Sequence, residues 1–153
     1  MPEWSNGTDS KSVGLVPTKV RILSSAFLKM YKGIIESESL SNKALLDKVR
    51  IIKSYNEEHL DDEPKIWTIN KIEVDDSDFY SFIKILSNSM IEGWYSLLWN
   101  DSFVYVIFRD KFFKISNENP WIGQEFFSVV NYASSSGIYK KYFDNLRNSI
   151  ENW

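Results

Sequence analysis

Aromatic and basic residues between positions 94 and 121 form the set with the clearest capacity for binding chemistry. Rings that alternate along a sheet can stack nucleobases, and nearby cations can neutralise phosphates. The same rings can instead fill the core of a small domain and leave a surface for a protein or a small ligand. We expect most of these rings to be buried, and Trp99 and Trp121, which lie near loop ends, to be the most exposed. The candidate binding surface comprises Trp94, Tyr95, Trp99, Arg109, Lys111 and Trp121.

The acidic segment around His59, the only histidine, is a second candidate. Imidazole and carboxylate groups perform acid–base chemistry, and carboxylates bind hard cations. The spacing is not that of an EF-hand, and no second histidine completes a transition-metal site. We therefore favour a solvated acidic loop. A small hydrolase is an alternative, which predicts that these carboxylates converge in one pocket. The acidic neighbours are Glu57, Glu58, Asp61, Asp62 and Glu63.

Positions at helix ends explain the remaining polar clusters better than metal binding or catalysis does. Asp75, Asp76 and Asp78 lie where a helix is predicted to begin, and the positive end of a helix favours carboxylates without a bound metal. The serines at 134–136 lie at a predicted helix C-terminus, whose negative end cannot stabilise an oxyanion. Glycine-rich phosphate-binding patterns are absent. The sequence therefore predicts no catalytic residue, no cofactor and no metal site.

Hydrophobic periodicity predicts the elements that position these residues. A short helix at residues 27–35 and a longer one at 42–58 precede a strand at 65–74. A helix then begins at Asp75 or Asp76 and ends near Met90. Gly93 opens a three-strand meander, and Gly137 has the place of a left-handed glycine after a helix. The meander strands are predicted at 94–99, 103–108 and 112–116, and the last two helices at 122–136 and 139–150.

This order of elements predicts an α+β fold. The expected sheet is a single antiparallel or mixed one of four strands, with helices packed on one face. The first strand is followed by a helix and then by the three strands of the meander. A chain of this length is expected to form one domain.

Composition narrows the function classes. Residues 1–29 carry four Lys or Arg and two acidic residues, so residues 30–153 carry 14 and 19, a net charge of −5. An acidic domain is a poor candidate for nucleic acid or anionic membranes. The chain has no cysteine, which excludes disulfides and thiolate chemistry and is consistent with the cytoplasm. No apolar run is long enough to cross a bilayer.

The first 26 residues can be encoded by the DNA of a transfer-RNA gene. Residues 8–12 allow ACT GAC TCG AAA TCA, an anticodon arm around a serine anticodon, and residues 20–22 allow GTT CGA ATC, the T-loop hallmark. Residues 1–26 thus resemble a translated serine tRNA gene. We expect residues 1–29 to be a non-native or disordered leader, translation to start at Met30 and residues 30–153 to form the domain. The resemblance implies an element integrated beside a tRNA gene, which the flanking DNA would test.

Three segments of the domain resemble a scattered group of small uncharacterised α+β proteins. They are Gly93-Trp94-Tyr95, the run at 104–114 and the run at 132–138, within a similarity that extends from about residue 65 to 144. Ala133 stands where the group has glycine, and Tyr139 where it has proline. The group carries no known function. We therefore expect a cytoplasmic, non-catalytic accessory protein that binds a protein or a small ligand, with a nucleic-acid-binding module as the alternative.

Overall fold

The computed structural model of the protein describes residues 30–138, 140–143 and 146–153. The expectation of a disordered leader falls on residues 1–29, which lie outside these ranges. Six strands form one antiparallel sheet in the order β2-β3-β1-β4-β5-β6. The strands are β1 (Tyr31–Glu36), β2 (Arg50–Glu58), β3 (Ile66–Val74), β4 (Ser96–Trp99), β5 (Phe103–Phe108) and β6 (Lys111–Ser116). The helices are α1 (Asp76–Ser89), α2 (Gln124–Ser135), α3 (Lys140–Phe143) and α4 (Leu146–Glu151), with 3₁₀ turns at Ser37–Ser39 and Lys43–Lys48.

The prediction of four strands is wrong, because two strands were taken for helices. The region expected to form a short helix at 27–35 overlaps β1, which ends at Glu36, and the expected helix at 42–58 divides into a 3₁₀ turn and β2. The apolar residues Leu45, Val49 and Ile52 have helical spacing only because a turn and a strand follow one another. β2 is an edge strand with nearly every residue exposed, so it shows no buried alternation.

The later elements match their predictions closely. β3 and α1 lie within two residues of the expected bounds, β5 has the expected bounds, and α2 lies within the expected helix. Asp75 is the N-cap residue of α1, although its side chain makes no capping hydrogen bond. The tail helix is present as the short α3 and α4. Strong hydrophobic periodicity and clear turn residues allow the secondary structure of this half of the chain to be predicted.

Helices cover both faces of the sheet, so the prediction that they pack on one face is wrong. Side chains alternate along each strand, and the two sets fall into separate apolar clusters. One cluster joins the strands to α1, with Tyr31, Ile35, Ile72, Leu98, Tyr105, Ile107, Phe79, Ile83 and Leu86 among its members. The other joins them to α2, α3 and α4, with Leu97, Trp99, Val104, Val106, Phe108, Ile115, Val129, Ala133, Phe143 and Leu146 among its members.

Gly33 lets three central strands approach closely on the α1 face. It pairs with Ile72 of β3 on one side and Leu98 of β4 on the other. A Cβ atom at this position would lie 2.9 Å from Leu98 Cγ and 3.0 Å from the carbonyl oxygen of Leu97. The absence of a side chain therefore determines how Ile72 and Leu98 meet above β1.

Gly137 ends α2 as the sequence predicts. Its φ of 85° is left-handed. Its N–H donates to the carbonyl of Ser134 at 3.2 Å, and the N–H of Ile138 donates to that of Ala133 at 3.0 Å. These two bonds form a Schellman motif, which reverses the chain and directs Ile138 inward.

The two edge strands carry features that discourage further pairing. β2 has a register irregularity between Ile51 and Lys53, and β6 exposes Lys111 and Lys114. Bulges and lysines are common on free edges of soluble sheets. Among the described residues, no helix has the length and apolar character needed to cross a membrane.

Candidate functional site

A cavity of about 280 Å³ lies at one end of the sheet, on the face covered by α3 and α4. Strands β1, β2 and β3 contribute its floor, and the β2–β3 loop, the segment before β4 and the C-terminal helices contribute its walls. Its lining residues are Glu36, Glu57, His59, Asp62, Glu63, Trp67, Ile69, Gly93, Trp94, Tyr95, Gly137, Ile138, Tyr142 and Ser149.

Strand register brings the floor residues together. Glu36, the last residue of β1, pairs with Ile69 of β3, and Trp67 of β3 pairs with Glu57 of β2. Because residues two apart on a strand share a face, Ile69 and Trp67 project from the same side of β3. The floor therefore combines two carboxylates with one aliphatic and one aromatic side chain.

Trp67 is the centre of an aromatic cluster. The His59 ring stacks on it with centroids 3.6 Å apart, and the rings of Trp94 and Tyr142 lie 4.8 and 5.7 Å from it. Its indole N–H donates to the carbonyl of Pro64 at 2.9 Å. The rings therefore pack on one another and form a continuous wall, which holds the β2–β3 loop against the body of the protein.

Tyr95 ties the segment before β4 to α3. Its hydroxyl donates to the carbonyl of Tyr142 at 2.9 Å, and its ring stacks on Phe143 with centroids 4.8 Å apart. Burial raises the pKa of Tyr95 well above its ordinary value, with a smaller contribution from Glu36. Tyr95 is thus a neutral hydrogen-bond donor that fixes the position of α3 beside the cavity.

The charged lining residues are acidic apart from His59. Glu36, Glu57, Asp62 and Glu63 face the cavity, and no lysine or arginine is among the lining residues that the structure describes. His59 contacts two of them, with Nε2 3.0 Å from Glu57 Oε1 and Nδ1 3.7 Å from Asp62 Oδ2. The hydroxyl of Tyr142 donates to Asp62 Oδ1. Glu57 and Asp62 therefore have side-chain partners in the empty cavity.

Glu36 differs from the other carboxyl groups. It is partly accessible from the cavity, but the surrounding protein removes so much of its hydration that burial raises its pKa from 4.5 to about 8. Its own backbone N–H opposes this shift, and the negative charges of Glu57 and Glu38 increase it. This shift favours the protonated, neutral form of Glu36 at neutral pH.

The residues of the predicted binding surface do not lie together. Trp94 and Tyr95 line the cavity, whereas the others do not. Trp99 is only 6% exposed, so the expectation that it would be among the most exposed rings is wrong. Its ring packs against Trp153 beneath the C-terminal residues. Arg109 and Lys111 lie at the exposed β5–β6 turn, and Trp121 is partly buried against Phe126.

The acidic loop is closer to a site than the sequence indicates. His59 and Asp62 are half-buried in the cavity wall, so the interpretation of residues 59–64 as a solvated loop holds only for part of them. Asp75, Asp76 and Asp78 do not line the cavity. Within the described ranges, no three His, Asp or Glu side chains are arranged to hold a metal ion.

Sequence reasoning missed Glu36, Trp67 and Tyr142 as site residues. Glu36 was hidden because β1 was assigned to a helix, and Trp67 was assigned only to a strand. Trp67 lies two residues after Lys65, beside the acidic loop, and this proximity of an indole to a histidine–carboxylate segment was the available signal. Tyr142 approaches only through tertiary packing, which no local pattern encodes.

Fold and site together define an α+β domain with an acidic, aromatic-walled cavity between an open antiparallel sheet and short C-terminal helices. The chain matches no protein-family model, and no curated protein or solved structure is significantly similar to it.

Proposed function

We propose that the protein is a non-catalytic binding domain for a small, positively charged organic molecule. The observation that carries this proposal is the charge of the cavity: the described residues that line it include four carboxyl groups and His59, but no lysine or arginine. Negative groups that converge on one cavity disfavour an anionic occupant and attract a cationic one. The aromatic wall supplies apolar contact for the uncharged part of such a molecule.

The size of the cavity limits the occupant. Small-molecule pockets usually measure about 300–1,000 Å³, and this one measures about 280 Å³. A single ring with a short chain, or a compact aliphatic amine, has the appropriate volume. A folded protein segment or a run of nucleotides is too large to enter it.

Calorimetric titration with three phenyl compounds of similar size and different charge tests this proposal. We expect 2-phenylethylamine, which is cationic, to bind about tenfold or more tighter than the neutral 2-phenylethanol. The anionic 3-phenylpropanoate should show no binding. Equal affinity for the three probes, or tightest binding of the anion, would overturn the proposal.

Matched variants locate the binding. Trp94→Ala removes part of the cavity wall and should weaken amine binding. Trp121 does not line the cavity, so Trp121→Ala should leave the affinity unchanged. An equal loss in both variants would place the amine elsewhere on the molecule.

Acid–base hydrolysis is a second candidate, favoured by one specific observation. A carboxyl group with a raised pKa shares the cavity with Glu57 and Asp62, and pairs of carboxyl groups in unlike environments perform such chemistry. Binding is preferred because Glu57 already contacts His59 and Asp62 already accepts from Tyr142. Release of nitrophenol from aryl glycosides or esters that Glu36→Gln abolishes would favour hydrolysis.

The nucleic-acid alternative loses support from the burial of its rings. Trp99, Tyr105 and Phe108 are covered by helices or by the sheet. A salt-dependent titration with single-stranded oligonucleotides remains the direct test. The proposal that the gene belongs to an integrated element depends on the tRNA-like residues 1–26, outside the described ranges. An integrase gene or a repeated tRNA end nearby would support it.

A further inference from the structure

We infer that the cavity selects a protonated amine whose N–H groups donate to Glu36, in preference to a quaternary ammonium, and that binding displaces the proton of Glu36. This inference rests on the proposed function and names the class of cation.

The backbone fixes Glu36 at the cavity floor. Residues 37–39 form a 3₁₀ turn directly after it, and Ser39 Oγ donates to the carbonyl of Glu36 at 2.6 Å. The next acidic residue, Glu38, pairs with Thr68. Its carboxylate accepts hydrogen bonds from the N–H and the hydroxyl of Thr68 at 2.6 and 3.0 Å. Glu36 is thus held by its main chain while its side chain faces the cavity.

Glu36 has no cationic neighbour among the residues that the structure describes. The groups acting on its carboxyl are its own backbone N–H and the carboxylates of Glu57 and Glu38. Of the other lining carboxylates, Glu57 and Asp62 have side-chain partners, and Glu63 is exposed. A desolvated carboxyl group without a counter-ion stays protonated until a cation neutralises it.

Hydrogen-bond donors distinguish the two kinds of cation. A carboxylate removed from water loses its hydrogen bonds, and an ammonium N–H replaces them with short charge-assisted bonds. A quaternary ammonium brings the charge but no donor, so the carboxylate oxygens stay unsatisfied. Quaternary groups are recognised instead by open aromatic cages.

The aromatic wall does not form such a cage. Trp67 is covered by the stacked His59 ring, and Trp94 and Tyr142 pack against it in tilted orientations. Because the rings contact one another, part of their surface is already covered by other rings. The rings therefore contact the hydrocarbon part of the ligand, and the ammonium group pairs with the carboxylate of Glu36.

Proton balance follows from this pairing. The protonated Glu36 loses one proton to solvent when the ammonium forms its ion pair, and no other bond is made or broken. With a pKa of about 8 before binding, most of one proton is released for each ligand at pH 7, and the released amount falls as the pH approaches 9.

Calorimetry with 2-phenylethylamine and its N,N,N-trimethyl derivative tests the inference on the full-length protein. Titrations at pH 7 in phosphate and in Tris, whose ionisation enthalpies differ, measure the released protons. We expect the primary amine to bind about tenfold or more tighter than the trimethyl compound. We also expect a release of a substantial fraction of one proton for each amine bound.

Variants separate Glu36 from its neighbours. Glu36→Gln should abolish the proton release and remove the preference for the primary amine. Glu118→Gln, which alters an exposed carboxylate outside the cavity lining, should preserve both. The titrations of the unaltered protein decide the matter by themselves if Glu36→Gln does not fold.

The outcomes distinguish this inference from the proposed function. If both cations bind equally well, or if the amine binds without releasing protons, the role of Glu36 is refuted while cation binding stands. If neither cation binds more tightly than 2-phenylethanol, the proposed function itself fails.

Discussion

The two faces of the sheet differ in what their side chains accomplish. The α1 face is apolar along its central strands and closed by Phe79, Phe82, Ile83 and Leu86 of the helix. The opposite face is equally apolar beneath α2, but at its β2–β3–β1 end it turns into the acidic cavity. One face is therefore filled by apolar packing, whereas part of the other is occupied by the cavity with Glu36 and the aromatic wall.

This contrast shows how a small domain can hold a desolvated carboxyl group. Native domains are stabilised by only about 5–15 kcal/mol, so a site with an unfavourable charge needs a well-packed counterpart. The aromatic stack of Tyr31 on Phe79, with centroids 3.6 Å apart, lies on the face away from the cavity. Substitutions on the two faces should therefore differ in how much they change stability and in whether that change depends on pH.

The largest effect is expected on the closed face. Phe79 is fully buried between Tyr31 and Tyr105, so Phe79→Ala should reduce the free energy of unfolding by about 3–5 kcal/mol. Denaturant unfolding measures the loss. Phe127→Ala, at an exposed position on α2, is the matched control and should change stability by less than about 0.5 kcal/mol. Similar losses in the two variants would refute the assignment of this face as the main source of stability.

A smaller, pH-dependent effect is expected in the cavity. Because the pKa of Glu36 is raised from 4.5 to about 8, the unfolded chain loses this proton first, and stability falls as the pH rises through that interval. The full shift corresponds to about 4.6 kcal/mol at pH 8.5. Solvent access to Glu36 reduces this effect, so Glu36→Gln should leave stability unchanged at pH 4 and increase it by about 2 kcal/mol at pH 8.5.

Thermal unfolding at the two pH values measures this difference. Glu118→Gln, at an exposed position after β6, serves as the control and should change stability little at either pH. A Glu36→Gln variant that is less stable at pH 8.5 would show that the carboxylate is already compensated in the empty protein.

The smallest effect is expected where the two regions join. Gly137 lines the cavity and has a left-handed φ of 85°, so Gly137→Ala should reduce stability by about 1 kcal/mol. Gly137→Asn should lose less, because asparagine tolerates this conformation better. Chemical denaturation distinguishes the two. Equal stability of both variants with the unaltered protein would show that the Schellman motif does not constrain this end of α2.

The sequence was sufficient where local and tertiary signals agree. The meander, α1 and the glycine after α2 follow from periodicity and turn residues, and their positions were predicted closely. It was insufficient for β1 and β2, because Gly33 interrupts the first and the second is exposed along its length. Since Glu36 is the last residue of β1, the wrong prediction for this strand meant that Glu36 was not predicted as a cavity residue.

The site also depends on contacts distant in sequence. Trp94 and Tyr95 were chosen for their ring chemistry, and both line the cavity, but their partners Trp67 and Tyr142 come from other elements. Trp99 looked exposed because it precedes a turn, yet the C-terminal residues cover it. Composition identifies which rings exist, and only tertiary packing, including that of the C-terminal helices onto the sheet, decides which of them line the cavity.

The irregular edge of β2 has a consequence for the behaviour of the protein at high concentration. An open sheet ends in two rows of unsatisfied backbone groups, which can recruit further strands and grow into fibres. Here the bend between Ile51 and Lys53 interrupts one row, and Lys111 and Lys114 place like charges along the other. Any copy joining in register at β6 would meet the same positive charges, so concentrated samples should stay free of fibrillar aggregates.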